Sequence, residues 1–534
     1  MSHSPEIFQD HRPLFALARN VSSRCLAIGV DLLVGLLMLP FNVSHLGTSA
    51  YGLWVLTASI TVQFSMLELG YSGALVKFIA QYRAYRNVQG LNEIASTLFF
   101  LFTAVGAVAY AIVVGVAFNL ESLFRLTPDQ AETGFMLMLL IGLYVALNFP
   151  FSVYGSVATG FQRNDVNSVI SIACSLLVAA VNVAALELGY GLTGLVVATT
   201  VVRVLVYFAY RLNAHRIFPA LHISPSLFRW DRLREVTGFS VYALAIDWAN
   251  KLNYQFDTIV IGAFLGPAPV AIWSVANRII LGTQMLSNQL NSVLFPLIVD
   301  SDASRELNRL REILLQGTRL SLVMVLPIST ALIALGQPLI IHWVGPQMQA
   351  SVLVLQILAV AVAIRVGNGT GTTVLKGAGC HRMLATVNIA AGIGNVILSA
   401  ALIHWFGLSG VAIGTLIAIL AASAILYPAA CHRVGVPVRH ALVHSILPPL
   451  WPAIVVGALL SVTRPLLDAT LPGVLLHATL GAALYGAIFF FAAIGSRDRA
   501  IYLTKAREVL GAIRPTPKPQ IPASNSQVSN SQIS

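Results

Sequence analysis

Fourteen stretches of about 20 mostly apolar residues run along this 534-residue chain, separated by charged or Pro/Gly-rich breaks. They begin with a run centred near Leu32 and end with one centred near Ala483. Each is long enough to cross a bilayer core of about 30 Å. Inside lipid every backbone polar group must be bonded internally, which leaves only helices or closed barrels. The runs are continuous rather than short and alternating, so a barrel is excluded. The fold class is therefore an all-α polytopic membrane protein with about 14 transmembrane helices. Composition agrees: 57% of residues are hydrophobic and 10% charged, against about 25% charged in soluble proteins. A soluble enzyme, a disordered chain and a collagen-like fibre are ruled out, and no nucleic-acid partner is expected. The four cysteines form no CxxC pair and read as small packing residues.

Basic residues set the expected topology. Counting by predicted span, 26 Lys and Arg fall in segments on the side of the termini, and only Arg125 and Arg464 fall opposite. The positive-inside rule then puts both termini in the cytoplasm. Trp54, Trp273, Trp343 and Trp405 fall near predicted outer helix ends, as an aromatic belt would. The first apolar run contains Asp31 and lacks a small-residue cleavage site, so it reads as a span and not as a removable signal.

The chain also repeats itself. LGTSAYGLW at Leu46–Trp54 resembles LGPAPVAIW at Leu265–Trp273, and LNEI at Leu91–Ile94 matches LREI at Leu310–Ile313, both at a spacing of 219. Gly160-x-x-Arg163 matches Gly379-x-x-Arg382 at the same spacing, and GLTGLVVAT at Gly191–Thr199 resembles GLSGVAIGT at Gly407–Thr415 at 216. One period holds six spans, an even number, so the copies share one orientation, with a cavity expected between them. The expected organisation is a cytoplasmic N-terminal segment (1–18), an N-lobe of six spans (19–213), a basic cytoplasmic linker (214–236) and a C-lobe of six spans (237–432). Two further spans (433–495) and a cytoplasmic tail (496–534) follow, the tail disordered from about 514 on its Pro/Ser/Asn/Gln content.

Seven charges lie inside predicted spans: Asp31, Arg203, Asp247, Lys251, Asp257, Arg278 and Arg365. Exposing all seven to lipid costs on the order of 20 kcal/mol, so they should face a cavity or one another. In the seventh span Asp247, Asn250, Lys251, Tyr254, Asp257 and Thr258 share a sector of about 120°. The eighth adds Ser274, Asn277, Arg278, Gln284 and Asn288 on a similar stripe. Asp247 and Lys251 also have the i,i+4 spacing of a self-neutralising pair. Arg24 either lies inside the cytoplasmic mouth or serves only as a topology charge. The candidate cavity residues are thus Arg24, Asp31, Arg203, Asp247, Asn250, Lys251, Tyr254, Asp257, Arg278 and Arg365. No P-loop, HExxH or GxSxG occurs, and no cofactor, metal site or enzymatic activity is expected. GNGTG at Gly367–Gly371 lacks a preceding strand and reads as close helix packing or a hinge. Pro40, Pro150, Pro296 and Pro327 are candidate kinks.

LGTSAYGLWVLTASITVQFSMLELGYSGALVKFIAQYRAYRN resembles the start of the polysaccharide transporter family, which includes the O-antigen and repeat-unit flippases of the multidrug/oligosaccharidyl-lipid/polysaccharide exporter superfamily. LNYQFDTIVIGAFLGPAPVAIWSVANRI is similar to a second family segment, with Asp257 before the outer turn and Trp273 where many relatives carry Tyr; TGFQRNDVNS is a third. The resemblance implies two six-helix lobes plus two C-terminal helices in a bacterial inner membrane. It implies translocation of an undecaprenyl-pyrophosphate-linked oligosaccharide to the periplasmic leaflet by alternating access. Membrane lipids, a polysaccharide polymerase and glycosyltransferases are the partners it implies. The seven buried charges sum to only +1; a protonated Asp would make the cavity more cationic and offer a route to proton coupling. A drug or cation antiporter of the same superfamily and a membrane glycan polymerase or ligase are the alternatives.

Overall fold

The computed structural model describes residues 13–64, 71–236, 256–466, 470–495 and 499. The described residues contain helices and no strand. The long elements are α1 (Pro13–Gln63), α2 (Tyr71–Ala84), α3 (Val88–Phe118), α4 (Pro128–Gly160), α5 (Asn164–Glu187) and α6 (Gly191–Ile217). They continue with α7 (Phe256–Leu265), α8 (Pro267–Ala303), α9 (Leu307–Trp343), α10 (Ser351–Gly377), α11 (His381–Phe406) and α12 (Leu408–Arg433). The last two are α13 (Val438–Thr463) and α14 (Leu471–Ala493).

Eleven described helices have the length and hydropathy of a membrane span. Together with three further segments they are consistent with the expected count of about fourteen. The apolar part of α1, Ser22–Gln63, holds 42 residues, about twice what one pass needs. It is broken at Gly47, whose backbone is not helical (φ 74°, ψ 169°). α7 is short within the described residues, and α8 carries the polar stripe that lowers its hydropathy.

The sequence repeat is a repeat of backbone turns. Gly266, 219 residues after Gly47, adopts nearly the same conformation (φ 82°, ψ −171°) between α7 and α8. At the other ends of the following helices, Arg86 (φ 53°) and Arg305 (φ 56°), also 219 apart, both take the left-handed conformation that non-glycine residues rarely adopt. The LNEI and LREI matches also have a common role. Asn92 Nδ2 donates to the carbonyl of Ala220 (2.9 Å), and its Oδ1 accepts from the amide of His222 (3.1 Å). Arg311, 219 residues on, donates from Nε to the carbonyl of Val434 (2.7 Å). In each lobe the third helix thus tethers the chain leaving the sixth.

Packing divides the molecule in a way that matters for function. Near the Gly47 and Gly266 turns both lobes share one core. Leu39, Val43, Tyr51 and Leu56 of the N-lobe pack with Val260, Val270 and Trp273 of the C-lobe. Gly52 lets α1 lie against the backbone of Pro267, and Leu56 sits on Gly262. Toward the Arg86 and Arg305 turns each lobe has its own core, around Phe78, Ile79 and Leu91 in one and Leu310, Leu314 and Tyr427 in the other. Among the described residues, ion pairs at that end stay within a lobe, as in Arg232–Glu93 (3.1 Å), Arg19–Asp165 (3.3 Å) and Arg433–Asp302 (2.8 Å). α13 and α14 pack on α9 and on each other.

Two expectations are sharpened. Trp273 is 2% exposed and belongs to the shared core, so it is no belt residue, whereas Trp405 is 76% exposed. GNGTG is a packing device within α10. A side chain at Gly367 would press on Leu322 of α9, at Gly369 on Asn291 of α8, and at Gly371 on Ala430 and Tyr427 of α12. Three neighbouring helices approach through three glycines.

Candidate functional site: a cavity at the lobe boundary

A cavity of about 830 Å³ lies between α1, α4, α5 and α6 of the N-lobe and α7 and α8 of the C-lobe. Three of the sequence-derived candidates line it: Asp31 from α1, Arg203 from α6 and Arg278 from α8. Each is reached through local sequence. On α6, Arg203, Tyr207 and Tyr210 follow helical spacing and share a face. On α5, Ser171, Ser175, Val178 and Asn182 do the same.

Arg278 crosses the lobe boundary. Its Nη2 donates to the backbone carbonyl of Asp31 (3.4 Å). Its guanidinium lies over Gly35, where any Cβ would collide with it. The Asp31 carboxylate accepts from Ser175 Oγ (3.1 Å). Arg203 stands over the ring of Tyr144, 5.0 Å from its centroid, a favourable cation–π placement. Its Nε is buried with no hydrogen-bond partner among the described residues. Tyr207 fixes the wall by donating to the Tyr144 carbonyl (2.9 Å). Two arginines against one aspartate leave the described lining net positive, and Tyr51, Trp54, Tyr144, Tyr207 and Tyr210 add aromatic faces. Such a surface can hold phosphate oxygens by charge-assisted bonds and flat apolar faces by stacking.

The other candidates lie elsewhere. Arg365 lines a second, smaller cavity of about 240 Å³ in the C-lobe, between α8, α10, α11 and α12. Asp257 lines neither cavity. It is 5% exposed on α7, and its carboxylate accepts from Asn395 Nδ2 of α11 (2.9 Å) and from Thr415 Oγ1 of α12 (3.0 Å). Ser399 extends the cluster by donating to Asn395 Oδ1 (3.3 Å). Arg24 is exposed near the start of α1. Asp247, Asn250, Lys251 and Tyr254 lie outside the described residues. Charge alone did not point to Ser175, Tyr144, Tyr207 or the C-lobe amides Asn291, Asn368 and Asn388. The tyrosine stripe on α6 was the available signal.

No cluster of three or more potential metal ligands occurs among the described residues.

The sequence profile of the family described as "Polysaccharide biosynthesis protein" matches residues 46–353. Among curated proteins, the chain is 22% identical over 390 residues to a probable flippase, AglR, of Haloferax volcanii, covering 72% of this chain and 77% of that protein. It is 25% identical over 343 residues to the succinoglycan biosynthesis transport protein ExoT of Rhizobium meliloti, covering 62% and 67%. Among solved structures, the lipid II flippase MurJ in an inward closed conformation superposes with a TM-score of 0.68 at 15% identity, covering 89% of this chain and 99% of that one. An inward-facing multidrug resistance MATE family transporter of the MOP superfamily superposes with a TM-score of 0.62 at 17% identity, covering 75% and 94%. The structural likenesses establish the fold, and the profile match spans more than half of the sequence. The chain is therefore a multi-pass membrane protein belonging to the polysaccharide biosynthesis family of polysaccharide transporters.

Proposed function

We infer that this protein is a flippase that carries a polyprenyl-pyrophosphate-linked oligosaccharide across the membrane by alternating access, with both termini in the cytoplasm. The observation that carries the reading is the cavity holding Arg203 and Arg278 at the boundary of two lobes. The lobes are joined by a common core at one end and separately packed at the other. With cytoplasmic termini, the separated end faces the cytoplasm, where a lipid-linked precursor is presented. Arg203 and Arg278 would hold the pyrophosphate. The tyrosine wall would stack on the first sugar, and the lipid tail would stay in the bilayer. Rocking of the lobes about the shared core would then expose the cavity to the other side. Nothing in this cycle requires a bond to be made or broken in the substrate, consistent with relatives named as flippase and transport protein.

A strain deleted for the gene tests this reading. It should lose its surface polysaccharide and accumulate unmodified lipid-linked oligosaccharide in the inner leaflet, with rescue by the wild-type gene and none by Arg203→Ala with Arg278→Ala at equal expression. Accumulation of a covalently different lipid species would point instead to a polymerase or ligase.

A further inference from the structure

We propose that the smaller C-lobe cavity is a saccharide subsite that selects the glycan, separate from the cavity of Arg203 and Arg278 that takes the pyrophosphate. The proposal rests on the flippase reading and deepens it.

The lining is unusual for a membrane interior. Gln284, Asn288, Asn291, Asn368 and Asn388 bring five carboxamides to one cavity, together with Arg365. A carboxamide offers donors and an acceptor side by side, which complements neighbouring hydroxyls of a sugar ring. A phosphate would call for more positive charge, and an organic cation for a carboxylate, which the lining lacks among the described residues. A hydrocarbon tail would leave the buried Asn291 and Asn368 acceptors unbonded, a heavy cost inside a membrane. At about 240 Å³ the cavity lies below the roughly 300–1,000 Å³ of drug-sized sites, which fits one sugar ring rather than a whole repeat unit.

Two further observations point to a ligand. Asn291 Oδ1 and Asn368 Oδ1 are buried acceptors with no hydrogen-bond partner among the described residues, and Asn291 Nδ2 makes only a long contact to Ser287 Oγ (3.4 Å). Buried amides are normally bonded; ligand hydroxyls would supply the donors. Gly369 keeps this space, because a Cβ there would sit 2.7 Å from Asn291 Nδ2. Discrimination by such a site is steep, since a sugar lacking the matching hydroxyl leaves the amides unpaired.

The test uses full-length protein in lipid nanodiscs and two probes: the polyprenyl-pyrophosphate oligosaccharides extracted from the producing strain, and bare polyprenyl pyrophosphate. Wild type should bind the glycosylated lipid at least about tenfold more tightly. Asn288→Ala with Asn388→Ala, at an exposed and a half-buried position, should erase that margin and leave binding of the bare lipid unchanged, which also shows that the variant is folded. Gly369→Ala, which crowds Asn291 alone, should narrow the margin in the same direction. Arg278→Ala should weaken both probes alike. A margin retained in both amide-site variants, or equal binding of the two probes by wild type, overturns the subsite. Failure of wild type to bind either lipid overturns the flippase reading itself.

Discussion

Arg278 of the C-lobe donates to the backbone carbonyl of Asp31 in the N-lobe across 247 positions of sequence (3.4 Å). This bond lies on the cavity wall, below the core that both lobes share. An arginine so placed touches both halves of the molecule, and an anion bound in the cavity would compete with the α1 backbone for one guanidinium.

Gly35 makes that crossing possible, so Gly35→Val should act like loss of Arg278 without removing a charge. A charge-assisted hydrogen bond is worth about 1.5–3 kcal/mol, or roughly ten- to a hundredfold in apparent affinity for a lipid pyrophosphate. Titration of purified variants by intrinsic fluorescence checks this. Unchanged affinity in Gly35→Val would show that the guanidinium has room to move elsewhere.

Lysine should not replace either cavity arginine. Arg203 uses a planar cation over Tyr144, and Arg278 spans Gly35 with its fork. A lysine keeps the charge and loses the planar geometry. Arg203→Lys and Arg278→Lys should each lower transport by about tenfold or more, close to the alanine variants. Transport counts at matched expression measure it, and wild-type rates in both would reduce the site to a diffuse positive field.

Asp257 joins three helices rather than lining the cavity. Asp257→Ala removes the acceptor shared by Asn395 and Thr415 and should cost about 1–3 kcal/mol of stability. Asp257→Asn retains one acceptor and should cost less. Thermal unfolding in detergent distinguishes them; equal melting temperatures for wild type and Asp257→Ala would show that the cluster does not secure α7.

The paired tethers should fail locally. Asn92→Ala should speed amide hydrogen exchange in residues 219–229 by about tenfold, the equivalent of one hydrogen bond or so, and leave 434–441 untouched. Arg311→Ala should do the reverse. Simultaneous loosening of both segments by either variant would contradict two independently packed lobe ends.

What could be read from sequence follows the range of each signal. Spans were legible because a bilayer imposes length and apolarity residue by residue. The repeat was legible because Gly47 and Gly266 must adopt the same positive-φ turn. Its LNEI and LREI motifs were visible, but the tethers they make were not, because Asn92 and Arg311 do one task with different chemistry. Helical periodicity puts Asp31 and Arg278 on polar faces and cannot say that those faces meet. It also put Asp257 on a polar stripe without showing that Asn395 and Thr415, each in an apolar run, turn toward it. Tyr144 and Tyr207 pass as apolar residues in a span, so the aromatic wall stayed hidden until α4 and α6 were packed.

The most direct test of lipid-linked oligosaccharide flipping is leaflet transfer by the purified protein. Liposomes carrying the protein and a fluorescent polyprenyl-pyrophosphate oligosaccharide should lose inner-leaflet label to an external quencher. The recovered lipid should be chemically unchanged, and Arg203→Ala with Arg278→Ala should transfer it no faster than protein-free liposomes. Transfer at the protein-free rate by wild type, with efflux of an entrapped cationic dye instead, would contradict the flippase reading and support an antiporter.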